Sequence, residues 1–67
     1  MVKKRRATIE DLFQCAYELR AKGHRDIYVF PGEEGVIRFS RNEPTHAIRY
    51  VAIGPTGRIW VISAYGQ

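Results

Sequence analysis

The first part of the chain has the periodicity of a helix. Between positions 9 and 19, apolar residues recur at intervals of three or four, which places them on one face of an α-helix. The members of this stripe are Ile9, Leu12, Phe13, Ala16 and Leu19. Thr8 is a good N-cap for the stripe, and Gly23 suits the left-handed conformation in which many helices end. The pattern therefore predicts a helix over residues 9–22.

After Gly23 the period changes to two, which is typical of strands that turn one face to a core. Four such runs are separated by turn-forming residues, at 26–30, 36–40, 46–53 and 58–65. Because short connections favour antiparallel neighbours, the sequence predicts an α+β fold. We expect one N-terminal helix packed on a four-stranded antiparallel meander sheet (αββββ). This compact domain would span residues 8–67, behind a basic flexible arm at residues 1–7.

The last two predicted strands form the clearest hairpin. The sequence Gly54-Pro55-Thr56-Gly57 is typical of a type I turn with a glycine in the left-handed bulge position. Such a turn would place Ile53 opposite Ile59, Ala52 opposite Trp60 and Tyr50 opposite Ile62. Cross-strand pairs share a face, so one face of the hairpin contains Ile48, Tyr50, Ala52, Arg58, Trp60, Ile62 and Ala64. The other contains Arg49, Val51, Ile53, Ile59, Val61 and Ser63.

Both faces of this hairpin are apolar, and one helix covers only one side of a sheet. The sequence does not decide which side is covered, although packing of Tyr50 and Trp60 beneath the helix is the simplest structural interpretation. The β-branched residues of the other face would then be exposed to solvent, or they would meet a partner or a second copy of the chain in a homodimer. The candidate interface consists of Val51, Ile53, Ile59 and Val61.

The composition narrows the class of protein. A chain of 67 residues provides one small domain, and 45% apolar with 27% charged residues is typical of a folded chain. No apolar run approaches the ~18 residues of a membrane span. The basic N-terminus is not followed by the apolar segment of a secretory signal, and a single cysteine cannot form an internal disulfide. We therefore expect a cytoplasmic protein without membrane contact.

The sequence offers little to bind a metal or a cofactor. Cys15, His24 and His46 lack the paired spacings of zinc sites. The glycines form neither a dinucleotide-binding fingerprint nor a P-loop, and each has an explanation in a turn or a cap. Cys15 lies next to the apolar stripe of the helix, where a structural thiol is expected. We expect no cofactor and no metal.

Metal-free RNA cleavage is the enzymatic alternative. General acid–base catalysis requires only a few polar side chains, and the candidates are His24, His46, Arg49, Arg58 and Tyr65. The last third of the chain also resembles the terminal strands of RelE-type ribonuclease toxins, through residues 48–51 and 58–62. That resemblance would imply RNA cleavage, but the chain lacks the opening strand and the longer helical hairpin of that family. Structural roles at a helix end and a strand edge account for both histidines, so we expect no catalysis.

Nucleic acid is the partner that the charge and the aromatic residues favour. The formal net charge is +4 and the sequence pI is about 9.6, which favours polyanions. Arginines alternate with aromatic residues along the strands, a mixture in which cations meet phosphates while rings stack on bases. The candidate binding residues are Lys3, Lys4, Arg5, Arg6, Arg38, Arg49 and Arg58. The alternative is a small inhibitor or adaptor, of the kind phages and mobile elements encode, that occludes a host protein or nucleoprotein complex.

Overall fold

In the part of the chain that the structure describes, one helix packs on a four-stranded antiparallel sheet, so the predicted fold class is confirmed. The structure is a computed structural model that describes residues 7–45, 47 and 49–63. Helix α1 spans Ile9–Ala21. The strands are β1 (Ile27–Pro31), β2 (Ile37–Ser40), β3 (Arg49–Ile53) and β4 (Ile59–Ser63), and a short 3₁₀ turn at Glu33–Gly35 joins β1 to β2. The third strand begins later than predicted, at Arg49. Residues 1–6 and 64–67, with His46 and Ile48, lie outside the described residues.

Helix α1 begins and ends where its local sequence indicates. The Thr8 side chain accepts a hydrogen bond from the Asp11 backbone N–H at 3.2 Å, and the Asp11 carboxylate accepts one from the Thr8 N–H at 2.9 Å. This reciprocal capping box satisfies two N–H groups that the first helical turn leaves unpaired. At the other end Gly23 has φ of 102° and donates to the Arg20 carbonyl at 2.9 Å. The helix therefore ends one residue before the predicted boundary, with Lys22 as its C-cap.

The β3–β4 hairpin has the predicted turn and the predicted register. The Gly54 N–H donates to the Arg58 carbonyl at 2.8 Å, and the Gly57 N–H donates to the Gly54 carbonyl at 3.2 Å. Gly57 has φ of 95°, the left-handed conformation that a bulge glycine adopts without strain. The pairs Ile53–Ile59, Ala52–Trp60 and Tyr50–Ile62 all form.

The strand order is β2-β1-β3-β4. The sheet is meander-like, but β3 pairs with β1 and not with β2, so the connection after β2 has to cross β1. This order places the most apolar strands in the centre, where Val29 and Val51 are opposite each other and fully buried. Strand β2 has exposed Arg38 and Phe39 in its middle, and it becomes an edge strand, where charged residues are common.

The helix packs on β3 and β1 and fixes which face of the sheet is the core. The buried cluster consists of Leu12, Ala16, Leu19, Ile27, Val29, Val51 and Ile53. The branched side chains of valine and isoleucine pack well on a pleated surface, and Ile27, Val29, Val51 and Ile53 form the sheet's side of the core. Tyr50 and Trp60 therefore lie on the face away from the helix, and their expected position beneath it is wrong.

The predicted interface lies on the face of the sheet on which α1 packs. Val51 and Ile53 are buried in the core at 0% and 1% exposure, and Ile59 packs against the same cluster. Val61, on the edge strand, retains 39% of its surface. Of the four predicted interface residues, only Val61 therefore retains substantial exposed surface beside the helix.

Candidate nucleic-acid interface

The face of the sheet opposite α1, here called the helix-free face, contains most of the aromatic side chains of the strands. Alternation along each strand and the observed register define its members: Tyr28, Phe30, Arg38, Ser40, Tyr50, Ala52, Trp60 and Ile62. Arg58, just before β4, joins them through its contact with Trp60. The helix-free face therefore combines aromatic rings on β1, β3 and β4 with two guanidinium groups at its opposite edges, Arg38 on β2 and Arg58 just before β4.

Trp60 is the most accessible ring of this face, with 38% of its surface exposed. The guanidinium carbon of Arg58 lies 5.5 Å from the centroid of the Trp60 ring system, within the range of a cation–π contact. The ring also lies close to Gly54, where an added Cβ would be 3.1 Å from the Trp60 Cζ3 atom. The absence of a side chain at Gly54 therefore leaves room for the indole beside the hairpin turn.

Tyr50 has a structural position on the same face. It is 4% exposed, its hydroxyl donates a hydrogen bond to the Glu43 carboxylate, and the Tyr28 ring meets it edge-on with centroids 5.9 Å apart. Burial, followed by the hydrogen bond and the charge of Glu43, raises the pKa of Tyr50 to about 12. Since Glu43 belongs to the connection between β2 and β3, this bond ties that connection to the helix-free face. Tyr28 and Phe30 beside it are half-buried.

Arg38 marks the opposite edge of the face. It pairs with Phe30 across β1 and β2, and its side chain is exposed. An added Cβ at Gly32 would lie 2.8 Å from the Val36 carbonyl oxygen and 2.9 Å from both the Cδ and the Nε atoms of Arg38. The close backbone contact therefore favours glycine here, and the Arg38 side chain passes over it. The Arg38 side chain is available to solvent.

We compared the chain with models of protein families, with curated proteins and with solved structures. None of them matches. The function has to be argued from the site alone.

The structure brings together only some of the predicted binding residues. Arg38 and Arg58 share the helix-free face, each beside an aromatic residue. Arg49 alternates with Val51 and Ile53, so it lies on the helix side of the sheet, at the end of β3 far from the turn. It does not belong to the same surface. The predicted contacts of Lys3, Lys4, Arg5 and Arg6 lie outside the described residues.

The candidates for catalysis do not form a cluster in the described part of the chain. His24 is exposed and meets the Phe39 ring edge-on at 5.7 Å between centroids. Arg49 and Arg58 are on opposite faces of the sheet, whereas a reacting phosphate needs its catalytic groups on one side. His46 and Tyr65 are outside the described residues. Burial and the charge of Glu18 raise the pKa of the Cys15 thiol, partly offset by Lys22, which makes it a weak nucleophile at neutral pH.

Two further classes of site find no support in the described residues. There, no three side chains of the metal-ligating types lie close enough together to hold an ion. Likewise, α1, the one α-helix in the described ranges, is too short and too polar to cross a bilayer.

Two arginines that the sequence did not single out as binding residues, Arg20 and Arg25, lie close together beside the β3–β4 turn. Nη1 of Arg20 donates to the Gly57 carbonyl at 3.2 Å. Nη1 of Arg25 donates to the carbonyls of Arg20 and His24, at 3.1 and 2.8 Å. Arg20 was identifiable only as a cation suited to the end of a helix. Its partner Gly57 is 37 positions away, and no local pattern connects the two.

Proposed function

We propose that this protein is a small, non-enzymatic nucleic-acid-binding module that uses its helix-free face. The Arg58–Trp60 pair is the observation that carries the proposal. Most large apolar side chains in a domain of this size are needed for the core. This tryptophan instead lies on the uncovered face, with a guanidinium group against its ring.

The pair supplies both contacts that a nucleotide needs. An exposed indole offers a π-face on which a base can stack, and stacking of this kind contributes about 1–3 kcal/mol per base. The adjacent guanidinium can donate two parallel hydrogen bonds to a phosphate. Arg38 and Phe30 provide a second pairing of an arginine with an aromatic ring, on the same face near the opposite edge of the sheet. The proposed N-terminal contacts of residues 3–6 would add further positive charge.

Unpaired bases fit this arrangement better than a duplex does. In a duplex the faces of the bases are already stacked on one another, so a flat aromatic surface has access only to single strands, loops or ends. Helix α1 is a poor reader of a DNA groove, since Glu10, Asp11 and Glu18 share its surface. We therefore propose single-stranded nucleic acid as the ligand class.

Binding of a host protein was the alternative, but the residues assigned to it are mostly buried beneath the helix. No described feature favours that alternative over the helix-free face.

A titration of the intrinsic fluorescence tests the proposal directly, because Trp60 is the one tryptophan of the chain. Single-stranded and duplex oligonucleotides would be added at several salt concentrations. We expect saturable quenching by single strands, with an affinity that falls by about 0.7 logarithmic units per logarithmic unit of salt for each phosphate contacted. Duplex should bind more weakly. Unchanged fluorescence with every oligonucleotide at low salt would contradict the proposal.

A further inference from the structure

The β3–β4 turn is covered by two arginine side chains that come from outside the sheet. A Cβ added at Gly57 would be 3.4 Å from the Cδ atom of Arg20, 3.4 Å from the Nε atom of Arg25 and 3.5 Å from its Cζ atom. Both side chains therefore approach the same point, and Gly57 is buried although it belongs to a turn. Two cations meet here, at a cost in mutual repulsion.

Backbone carbonyls hold both guanidinium groups in place. Arg20 donates to the Gly57 carbonyl, and its Cζ atom also lies 5.2 Å from the Tyr17 ring centroid. Arg25 donates to two carbonyls at the C-terminal end of α1, where the helix dipole is negative. Within the described part of the chain, these bonds use Nη1 of each arginine. The edge formed by Nε and Nη2 is left for a ligand, and that edge has the geometry for two parallel bonds to a phosphate.

The surroundings of the pair are mostly positive, and Arg58 connects them to the helix-free face. Arg58 directly follows Gly57 and leads to Trp60, while Lys22 and His24 are exposed on the helix side. The two nearest acidic residues along the chain are Glu18 and Asp26. The group thus contains four cations and two carboxylates, so its net charge is positive. The cations are Arg20, Lys22, Arg25 and Arg58. Arg25 and Arg58 are exposed and Arg20 is half-buried, so the group is accessible to an anion.

We infer that Arg20 and Arg25 form a phosphate-binding pair beside the β3–β4 turn. The ligand is the phosphodiester backbone of a single strand, one base of which stacks on Trp60 while a neighbouring phosphate binds the guanidinium groups of Arg20 and Arg25 beside the turn. The identity of this ligand rests on the proposed function, but the phosphate chemistry of the pair does not.

The decisive variant is Arg25→Gln, compared with Arg49→Gln. Both variants remove one positive charge from an exposed position. Arg49, however, lies on the helix side of the sheet, at the end of β3 far from the β3–β4 turn. Binding of labelled oligodeoxythymidine and oligouridine would be followed by fluorescence anisotropy over a range of salt concentrations. For Arg25→Gln we expect affinity to fall roughly threefold to tenfold and the salt slope to decrease by about 0.7. Arg49→Gln should leave the slope close to that of the wild type.

NMR of the wild-type protein provides a second readout that does not depend on how the variant folds. The Nε–H signals of Arg20 and Arg25 would be followed during titration with oligodeoxythymidine, and in a separate sample with sodium pyrophosphate. We expect both signals to shift on addition of either probe. If Arg25→Gln is unfolded by circular dichroism, the oligonucleotide titration decides, since unchanged signals during wild-type binding would overturn the pair.

The outcomes separate this inference from the proposed function. Oligonucleotide binding that is equal in Arg25→Gln and Arg49→Gln overturns the phosphate pair and leaves the function of the helix-free face intact. Shifts with pyrophosphate but no binding of oligonucleotides would support the pair and refute the nucleic-acid proposal. No response to either probe overturns both.

Discussion

Trp60 lies near the cation of Arg58 and close to Gly54, and replacing it tests whether its role is structural or in binding. With 38% of its surface exposed, it loses less apolar contact than a core tryptophan when it is truncated. We expect Trp60→Ala to lower the free energy of unfolding by about 1–2 kcal/mol, against about 3–5 kcal/mol for a buried tryptophan. Urea denaturation followed by circular dichroism measures this.

The same variant should bind single strands much more weakly. Loss of one stacked base corresponds to about 1–3 kcal/mol, and Trp60→Phe, which retains a ring, should recover part of the affinity. A stability loss typical of the core, together with unchanged affinity, would place Trp60 among the structural residues and remove the centre of the proposed surface.

Tyr50 makes stability depend on pH in the alkaline range. Its pKa is raised to about 12 in the folded protein by burial and by Glu43, against about 10 for tyrosine in an unfolded chain. The fold therefore favours the protonated hydroxyl. This stabilisation is complete below about pH 10 and is lost as the pH rises through the folded pKa.

The measurement for Tyr50 is the difference in unfolding free energy between the wild type and Tyr50→Phe at successive pH values. We expect the wild type to lose stability relative to the variant between about pH 10 and about pH 12. A difference that stays constant across this window would show that the Glu43 bond does not favour the protonated form.

At the scale of elements, the helix decides which face of the sheet can meet a partner. Val51 and Val61 are directly opposite each other on β3 and β4, on the same face, but α1 buries the first completely and leaves 39% of the second exposed. They form a matched pair of positions that differ chiefly in whether the helix covers them.

Introducing a carboxylate at these two positions should therefore have opposite results. Val51→Glu buries a charge without a partner, which costs several kcal/mol, and a domain of this size has little stability in reserve. We expect it to be unfolded by circular dichroism, whereas Val61→Glu should remain folded and lose less than about 1 kcal/mol. A folded, monomeric Val51→Glu variant would contradict the assignment of the core face.

Elements with local signals were predictable from the sequence, and the arrangement of those elements was not. The helix followed from its apolar stripe and the Thr8 cap, and the last hairpin from the Gly54–Gly57 turn. The pairing of β1 with β3 depends on side chains distant in sequence. So does the choice of face for α1, since both hairpin faces offered enough apolar surface.

At the scale of the whole molecule, the residue types of the candidate site were predictable from the sequence, but their full arrangement in space was not. The sequence indicated that arginines and aromatic residues alternate, and the structure places Arg38 and Arg58 on one face beside Phe30 and Trp60. The predicted register of the last hairpin also placed Arg49 on the face opposite Arg58, as observed, but it did not indicate which of the two faces the helix would cover. Nor could any local pattern show that the end of the helix would bring Arg20 to a turn between two strands.

The position of the arginines has one more consequence, which concerns self-association. Among the strands that the structure describes, β2 and β4 lie at the edges of the sheet, and an open edge can add the strand of another molecule and start aggregation. Native proteins limit this with short, charged edge strands. Here β2 has four residues with Arg38 among them, and Arg58 directly precedes β4. The same cations that would attract a polyanion therefore also oppose the growth of the sheet from one molecule to the next.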